Sequence, residues 1–267
     1  MGPSHVAGVS PMEKTILAMT AAALVAGGLQ AKSRDPGPPD QRQVKPGDFD
    51  RIAIAGPFLV RVHSGKETNI ALSGPRTMLD DTELLVRDGE LIIRWQEGAS
   101  WSRNGNHGVD IDITMPVIRG ATNAGAGSIE IDRVKANRFE AMLLSAGTVT
   151  VQSMDVSRLK AQLAGSGSLT LGRIAADQVD VDLAGSGGMQ AKGQIGDVTL
   201  RHMGPGPFDN PELSARRANI ISSSSGLLRA TVTQTADVQS MGSGDIELTG
   251  GAKCNVSKAG SGDVHCS

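Results

Sequence analysis

Gly165-Ser166-Gly167-Ser168-Leu169 is the stretch on which the reading of this chain turns. With its second glycine as a marker, the same knot returns with variations at Gly127, Gly147, Gly187, Gly206, Gly226, Gly244 and Gly262. Successive markers, Gly167 included, stand 20, 20, 20, 19, 20, 18 and 18 residues apart. A fixed period of this length means one supersecondary unit per repeat, stacked into a solenoid.

Aligning the repeats on the marker shows which kind of solenoid. Two residues after it stand Ile129, Val149, Leu169, Met189, Phe208, Leu228, Ile246 and Val264. Four after it come Ile131, Val151, Leu171, Ala191, Asn210, Ala230, Leu248 and Cys266, apolar except at Asn210. Before the later markers run Phe139, Leu159, Val179, Val198, Ala218, Ala236 and Cys254, and two residues on Ala141, Ala161, Val181, Leu200, Ile220, Val238 and Val256. A less regular lane holds Val134, Met154, Ile174 and Leu213. Steps of two are the period of a strand whose alternate side chains point inward. The expectation is an all-β chain: a parallel β-helix of about eight coils with two or three short strands per coil, over 121–267. Between the lanes lie mixed charges such as Glu140, Lys160 and Asp180, one above another, each exposed pair contributing at most about 1 kcal/mol.

The knot itself reads as a corner. Glycine offers positive φ and carries no Cβ, which suits a tight turn under a neighbouring coil. Between the glycines stand Ala126, Ala146, Ser166, Ser186, Pro205, Ser225, Ser243 and Ser261, a ladder of small residues whose hydroxyls are expected to bond between coils. Pro205, Pro207 and Pro211 are expected to disturb pairing around the fifth and sixth coils.

Upstream, 49–120 reads as short strands. Phe49-Asp50-Arg51-Ile52-Ala53-Ile54 alternates and stops at Gly56-Pro57, and Asp88-Gly89 between two apolar runs is a strong hairpin signal. Residues 97–108 form a polar loop with Trp101 and His107. Pro36, Pro38, Pro39 and Pro46 mark 32–48 as an extended linker. The apolar run 15–29, after Lys14 and before small residues, fits a cleaved signal peptide over 1–31, with Met12 as the natural start; it is short for a membrane span of about 20 residues. The mature chain is then exported to periplasm or cell surface, with no transmembrane segment.

The order Phe49-Asp50-Arg51-Ile52, Gly56, Val60-Arg61-Val62, Gly65, Asp88-Gly89-Glu90-Leu91-Ile92-Ile93 and then recurring Gly-Ser-Gly resembles the putative auto-transporter adhesin, head GIN domain family, over about 49–264. The resemblance implies an extracytoplasmic β-helical domain and no activity that can be carried over residue by residue.

Composition narrows function further. Aromatic residues are 2% of the chain and tyrosine is absent, and the formal net charge is −2. That is neither a base-stacking surface nor a basic footprint for nucleic acid. No spacing calls for a cofactor, and His63, His107, His202 and His265 show no ligand spacing. The expectation is a non-catalytic structural, adhesion or interaction module of the cell envelope, with an envelope protein or polysaccharide as partner. The alternative is a polysaccharide-active lyase or hydrolase, for which Asp180, Asp182 and Arg201 are the candidate cluster on one outer face. Asp245 and Asp263, each following a knot, are the candidate calcium ligands, though calcium β-rolls repeat every nine residues. Cys254 and Cys266 fall in inward lanes of the last coils and form either a disulfide, favoured in an oxidising compartment, or two buried thiols. The chain stops at Ser267 without a polar cap, which predicts homo-oligomers formed through the C-terminal end of the helix.

Overall fold

The computed structural model describes residues 35–101 and 108–267. The apolar run 15–29, Met12 and His107 lie outside the described residues.

The repeat folds as a parallel β-solenoid of about seven turns. Eight knots bound seven intervals, which reconciles that count with the eight markers. The chain enters through β1 (Pro39–Val44), β2 (Arg51–Ala55), β3 (Leu59–Ser64) and β4 (Asn69–Pro75), then the short helix α1 (Arg76–Asp80). It continues through β5 (Thr82–Arg87), β6 (Glu90–Trp95), β7 (Asp110–Met115) and β8 (Gly120–Asn123). The coils follow as β9 (Ser128–Leu143), β10 (Thr148–Leu163), β11 (Ser168–Leu183), β12 (Gly188–His202), β13 (Phe208–Ser222) and β14 (Leu228–Ser240). The end is β15 (Ile246–Thr249), β16 (Lys253–Lys258) and β17 (Val264–Cys266).

From β9 to β11 the register is 20 residues, so Val149 pairs with Ile129 and Leu169, and Leu163 with Leu143 and Leu183. Like side chains therefore stack on like. The β10–β11 ladder skips Gln152 and Ser157, which divides each coil into three sides in addition to the knot corner. The inward lanes fill the interior: Ile129, Val149, Leu169, Ala141, Ala161 and Val181 are fully buried. Burying each Leu, Ile or Val contributes about 1.5–3 kcal/mol over leaving it exposed.

The N-terminal part joins this stack out of sequence order. β2 pairs in parallel with β6 on one edge and β8 on the other, and β3 lies likewise between β7 and β9. The Gly56-Pro57 break is thus an earlier corner of the same solenoid. The β5–β6 hairpin turns at Asp88 (φ 50) and Gly89 (φ 75), both left-handed as a type I′ turn requires. α1 buries Met78 and Leu79 at this end. The stretch expected to be an unpacked linker contributes β1, antiparallel to β4 with Pro39 opposite Pro75 and Val44 opposite Ile70. Its prolines did not prevent this, because β1 is an edge strand, where a missing N–H is tolerated.

The knots make corners, but by one of the two reasons the sequence offered. None of their glycines has positive φ. What they lack space for is a Cβ: one added at Gly165 would lie 1.9 Å from the Ser145 carbonyl oxygen, and one at Gly167 2.0 Å from that of Gly147. The serines between the glycines are not the bonded ladder expected; Ser166 and Ser186 are exposed. Bonding is instead carried by Ser145 and Ser224, which replace the first glycine of two knots. Ser145 Oγ donates to Gly125 O (2.6 Å) and Ser224 Oγ to Gly204 O (2.5 Å), while the marker glycines Gly147 and Gly226 donate back to these hydroxyls. One coil earlier, Asn123 Nδ2 donates to Gly127 O (2.8 Å) and His202 Nε2 contacts Gly206 O at 2.6 Å. A carbonyl only accepts, so His202 carries its proton on Nε2. The same two-residue device thus closes two corners far apart in the rod.

The prolines act where expected. The β12–β13 ladder begins only at Gly193–Leu213, leaving the preceding side of the coil without backbone pairs. Asn210, the polar exception in its lane and 3% exposed, fills in: its Oδ1 accepts from Ala191 N (2.5 Å) and its Nδ2 donates to Met189 O (3.1 Å). At the far end Cys254 and Cys266 are joined by a disulfide that ties β16 to β17 across the last coil. There Val256, an inward-lane residue, is 43% exposed.

Three predictions follow from these contacts. Asn210→Leu restores an apolar lane yet strands two buried backbone groups, so urea unfolding should show a loss of about 1–3 kcal/mol. Removing the 12-residue cross-link by Cys254→Ala with Cys266→Ala should cost up to about 3 kcal/mol, matched by wild type under reductant and not by wild type oxidised. Burial holds the His202 pKa below the ordinary value of about 6.5. The unfolded chain then takes up that proton first, so stability is level above about pH 6.5 and falls as pH drops below it. His202→Asn, copying Asn123, should flatten the profile between pH 7.5 and 5.5; an unchanged slope would refute the assignment.

Candidate functional site

The residues singled out by sequence are distributed over open surface. Asp182 pairs with Arg201 at 3.1 Å on the outer side of β11 and β12, and Asp180 stands exposed beside them. Lys160, one coil away, is held by Glu140 at 2.8 Å. A pair of this kind on a flat face has its carboxylate already engaged and nothing to shield a reacting group from water. Asp245 Oδ1 accepts the backbone N–H of Asp263 (2.8 Å), and the Asp263 carboxylate accepts from Lys258 (3.0 Å). No group of three or more His, Cys, Asp or Glu side chains suited to a metal occurs among the described residues. His63 lies between Asp112 and Asp132 at 3.9 and 3.7 Å, beside Arg61, and His265 follows the last knot. Trp101 anchors its loop by donating from Nε1 to Asp81 Oδ2 at 2.8 Å.

A wider hollow lies elsewhere on the surface. A trough of about 790 Å³ runs along the rod where the second side of each coil turns into the third. Its geometry follows from the corner. At 137, 157, 177, 196 and 216 the ladders skip a residue, so each coil bends there. Just before the bend, Ala136, Val156, Ala176, Ile195 and Ala215 stack as a narrow apolar floor. Val156, Ile195 and Ala215 are buried, and Ala136 and Ala176 half-buried. The walls carry Lys135, Asp155, Asn137, Ser157, Asp177, Gln194, Ser214 and Arg216.

Some charges on the rod pair from coil to coil. Arg217 grips Asp197 at 2.6 Å, and Arg229 bridges Asp209 and Glu247 at 3.1 and 2.8 Å. Lys135, Asp155 and Asp177 on the trough make no ion pair among the described residues, as Arg138, Arg158, Arg173 and Lys192 make none elsewhere. Arg216 helps Arg217 hold the Asp197 carboxyl below its usual range. Asn137, Ser157, Gln194 and Ser214 make no side-chain hydrogen bond among the described residues.

The sequence reading passed over this trough. Its lining comes from five coils and is mostly polar, so no short motif gathers it. The available signal was a slip in the alternation, from Ala136 to Phe139 and from Val156 to Leu159, where an inward step of three replaces two.

The described helices include none long and apolar enough to cross a membrane. No curated protein matches the chain. Among solved structures, it is similar to a putative lipid binding protein from Parabacteroides distasonis, with 23% identity, 86% of this chain and 97% of the other covered, and a TM-score of 0.74. It is also similar to a putative adhesin from the same organism, at 17% identity, 86% and 98% coverage and TM-score 0.78. A putative adhesin from Bacteroides fragilis matches at 20% identity, 86% and 97% coverage and TM-score 0.64. At these identities the likeness establishes the solenoid fold. The family model for the putative auto-transporter adhesin, head GIN domain, matches residues 48–172 and 163–252, and the chain belongs to that family.

Proposed function

We propose that this protein is a non-catalytic interaction module of the cell envelope, exported to the periplasm or cell surface, which holds an extended ligand in the trough between Lys135 and Arg216. The observation that carries the reading is the trough itself, a hollow of about 790 Å³ lined by a row of polar and charged groups that recurs from coil to coil. Family membership supports an envelope location, since the family is described by its adhesin-like character. A hydrolase or lyase needs groups with matched protonation states around a sheltered bond. Asp180, Asp182 and Arg201 offer an open surface and a closed ion pair, which favours binding over catalysis.

A rigid rod suits such a role. The two sides that meet at the trough are held by ladders from β9 through β13, so the trough is formed before any ligand arrives and little ordering free energy opposes binding. Ala175 stands exposed on the trough wall near the middle. Ala175→Phe should obstruct the trough and weaken binding of the purified protein to envelope fragments of its own bacterium at least tenfold, without lowering the melting temperature by more than a few degrees. Thr150→Phe, on another side of the rod, should bind as wild type does. Equal binding by both variants would dispose of the trough as the site.

A further inference from the structure

We infer that the trough's ligand is a neutral, linear polysaccharide lying along the solenoid axis, an inference that rests on the trough being the binding site. Parallel coils repeat every ~4.8 Å, and the trough offers one set of wall groups per coil: Lys135 with Asn137, Asp155 with Ser157, Ala175 with Asp177, Gln194 with Gly196, Ser214 with Arg216. A sugar in an extended glycan advances by a step close to this spacing, so successive residues meet successive coils, with alternate rings presenting opposite edges. An extended peptide advances ~3.3 Å per residue and falls out of step within two or three coils.

Lys135 and Arg216 balance Asp155 and Asp177, so the lining carries no net charge. That disfavours polyuronates, nucleic acid and acidic peptides, each of which brings a fixed charge at every step. Asn137, Ser157, Gln194, Ser214 and Thr233 are amides and hydroxyls. Such groups both donate and accept, as sugar hydroxyls do. Val156, Ile195 and Ala215 lie buried beneath the trough, so a ligand meets its polar walls and the half-buried Ala136 and Ala176.

The backbone closes off the main competing mode. Peptides often dock by adding a strand to a free sheet edge. Across the trough the strands run crosswise, and their N–H and C=O groups are spent on the coils above and below. There is no edge to extend. A lipid chain would set its whole length against alternating polar walls, at a cost for each group left unpaired.

The test is titration of the full-length, isotope-labelled protein with neutral hexasaccharides of glucose, mannose and N-acetylglucosamine, followed by amide shifts. A galacturonate hexamer and phosphatidylglycerol–phosphatidylethanolamine vesicles serve as the charged and lipid arms. The expected result is that at least one neutral hexamer shifts amides at 135–137, 155–157, 175–177, 194–196 and 214–216. Its affinity should change less than twofold between 50 and 500 mM salt. Asn137→Ala combined with Gln194→Ala should weaken it at least tenfold with the fold unchanged. If the neutral hexamers leave these amides unmoved, the polysaccharide inference is overturned. Whether the trough reading falls with it is then decided separately, by the envelope binding of Ala175→Phe. Shifts in the same amides from galacturonate or vesicles alone would likewise overturn the ligand class while leaving the site standing.

Discussion

The closeness of successive backbones at the knot corner is the constraint on which the whole rod depends. A Cβ at Gly165, Gly185 or Gly260 would sit 1.9 Å from a carbonyl oxygen one coil below. Because the corner admits no side chain there, adjacent coils settle to ladder distance, and every other lane inherits that spacing. Like residues can then stack in register on three sides, which is why one Phe, Leu or Val per lane suffices to fill the interior. The corner also explains where serine replaces glycine. At Ser145 and Ser224 the side-chain oxygen becomes a donor to the carbonyl it approaches, at 2.6 and 2.5 Å. Each needs a polar companion one coil earlier, and Asn123 and His202 supply it from buried positions.

Much of the fold was legible because two periods coincide. A step of two sorts inward from outward within a strand, and a step of about twenty aligns strands between coils. Residues such as Val149 and Leu169 satisfy both, so their pairing could be read directly. Gly56-Pro57 satisfied neither: its corner is inserted into the stack by a chain excursion through β4 to β7, and no local pattern encodes that order. Positive φ at the knots was a natural expectation for glycine, yet crowding and dihedral freedom select the same residue and sequence cannot separate them. Asn210 stood out as an exception in its lane, but its reason lies in the broken ladder beside Pro207 and Pro211, which leaves the Ala191 N–H and the Met189 carbonyl to its side chain.

The site was less legible than the fold for a related reason. Lanes announce themselves by sameness, whereas the trough is lined by different residues from coil to coil. Lys160 and Lys135 look alike in sequence; one is held by Glu140 at 2.8 Å and the other makes no ion pair among the described residues. Only the register, which sets what stands one coil above or below, distinguishes the two.

A solenoid also shapes the kind of site it builds. Each coil contributes one residue per lane, at a spacing set by the ladders. What the architecture produces with little effort is a row: the same small set of contacts repeated at the coil spacing along one side. Rows recognise objects that are themselves periodic and long, and their affinity accumulates from many weak contacts held in a fixed geometry. The paired Asp182 and Arg201 belong to the stability of such a rod. The polar wall groups between Lys135 and Arg216 cost the rod little where they face water, and on the proposed reading their worth lies in a partner whose own repeat matches.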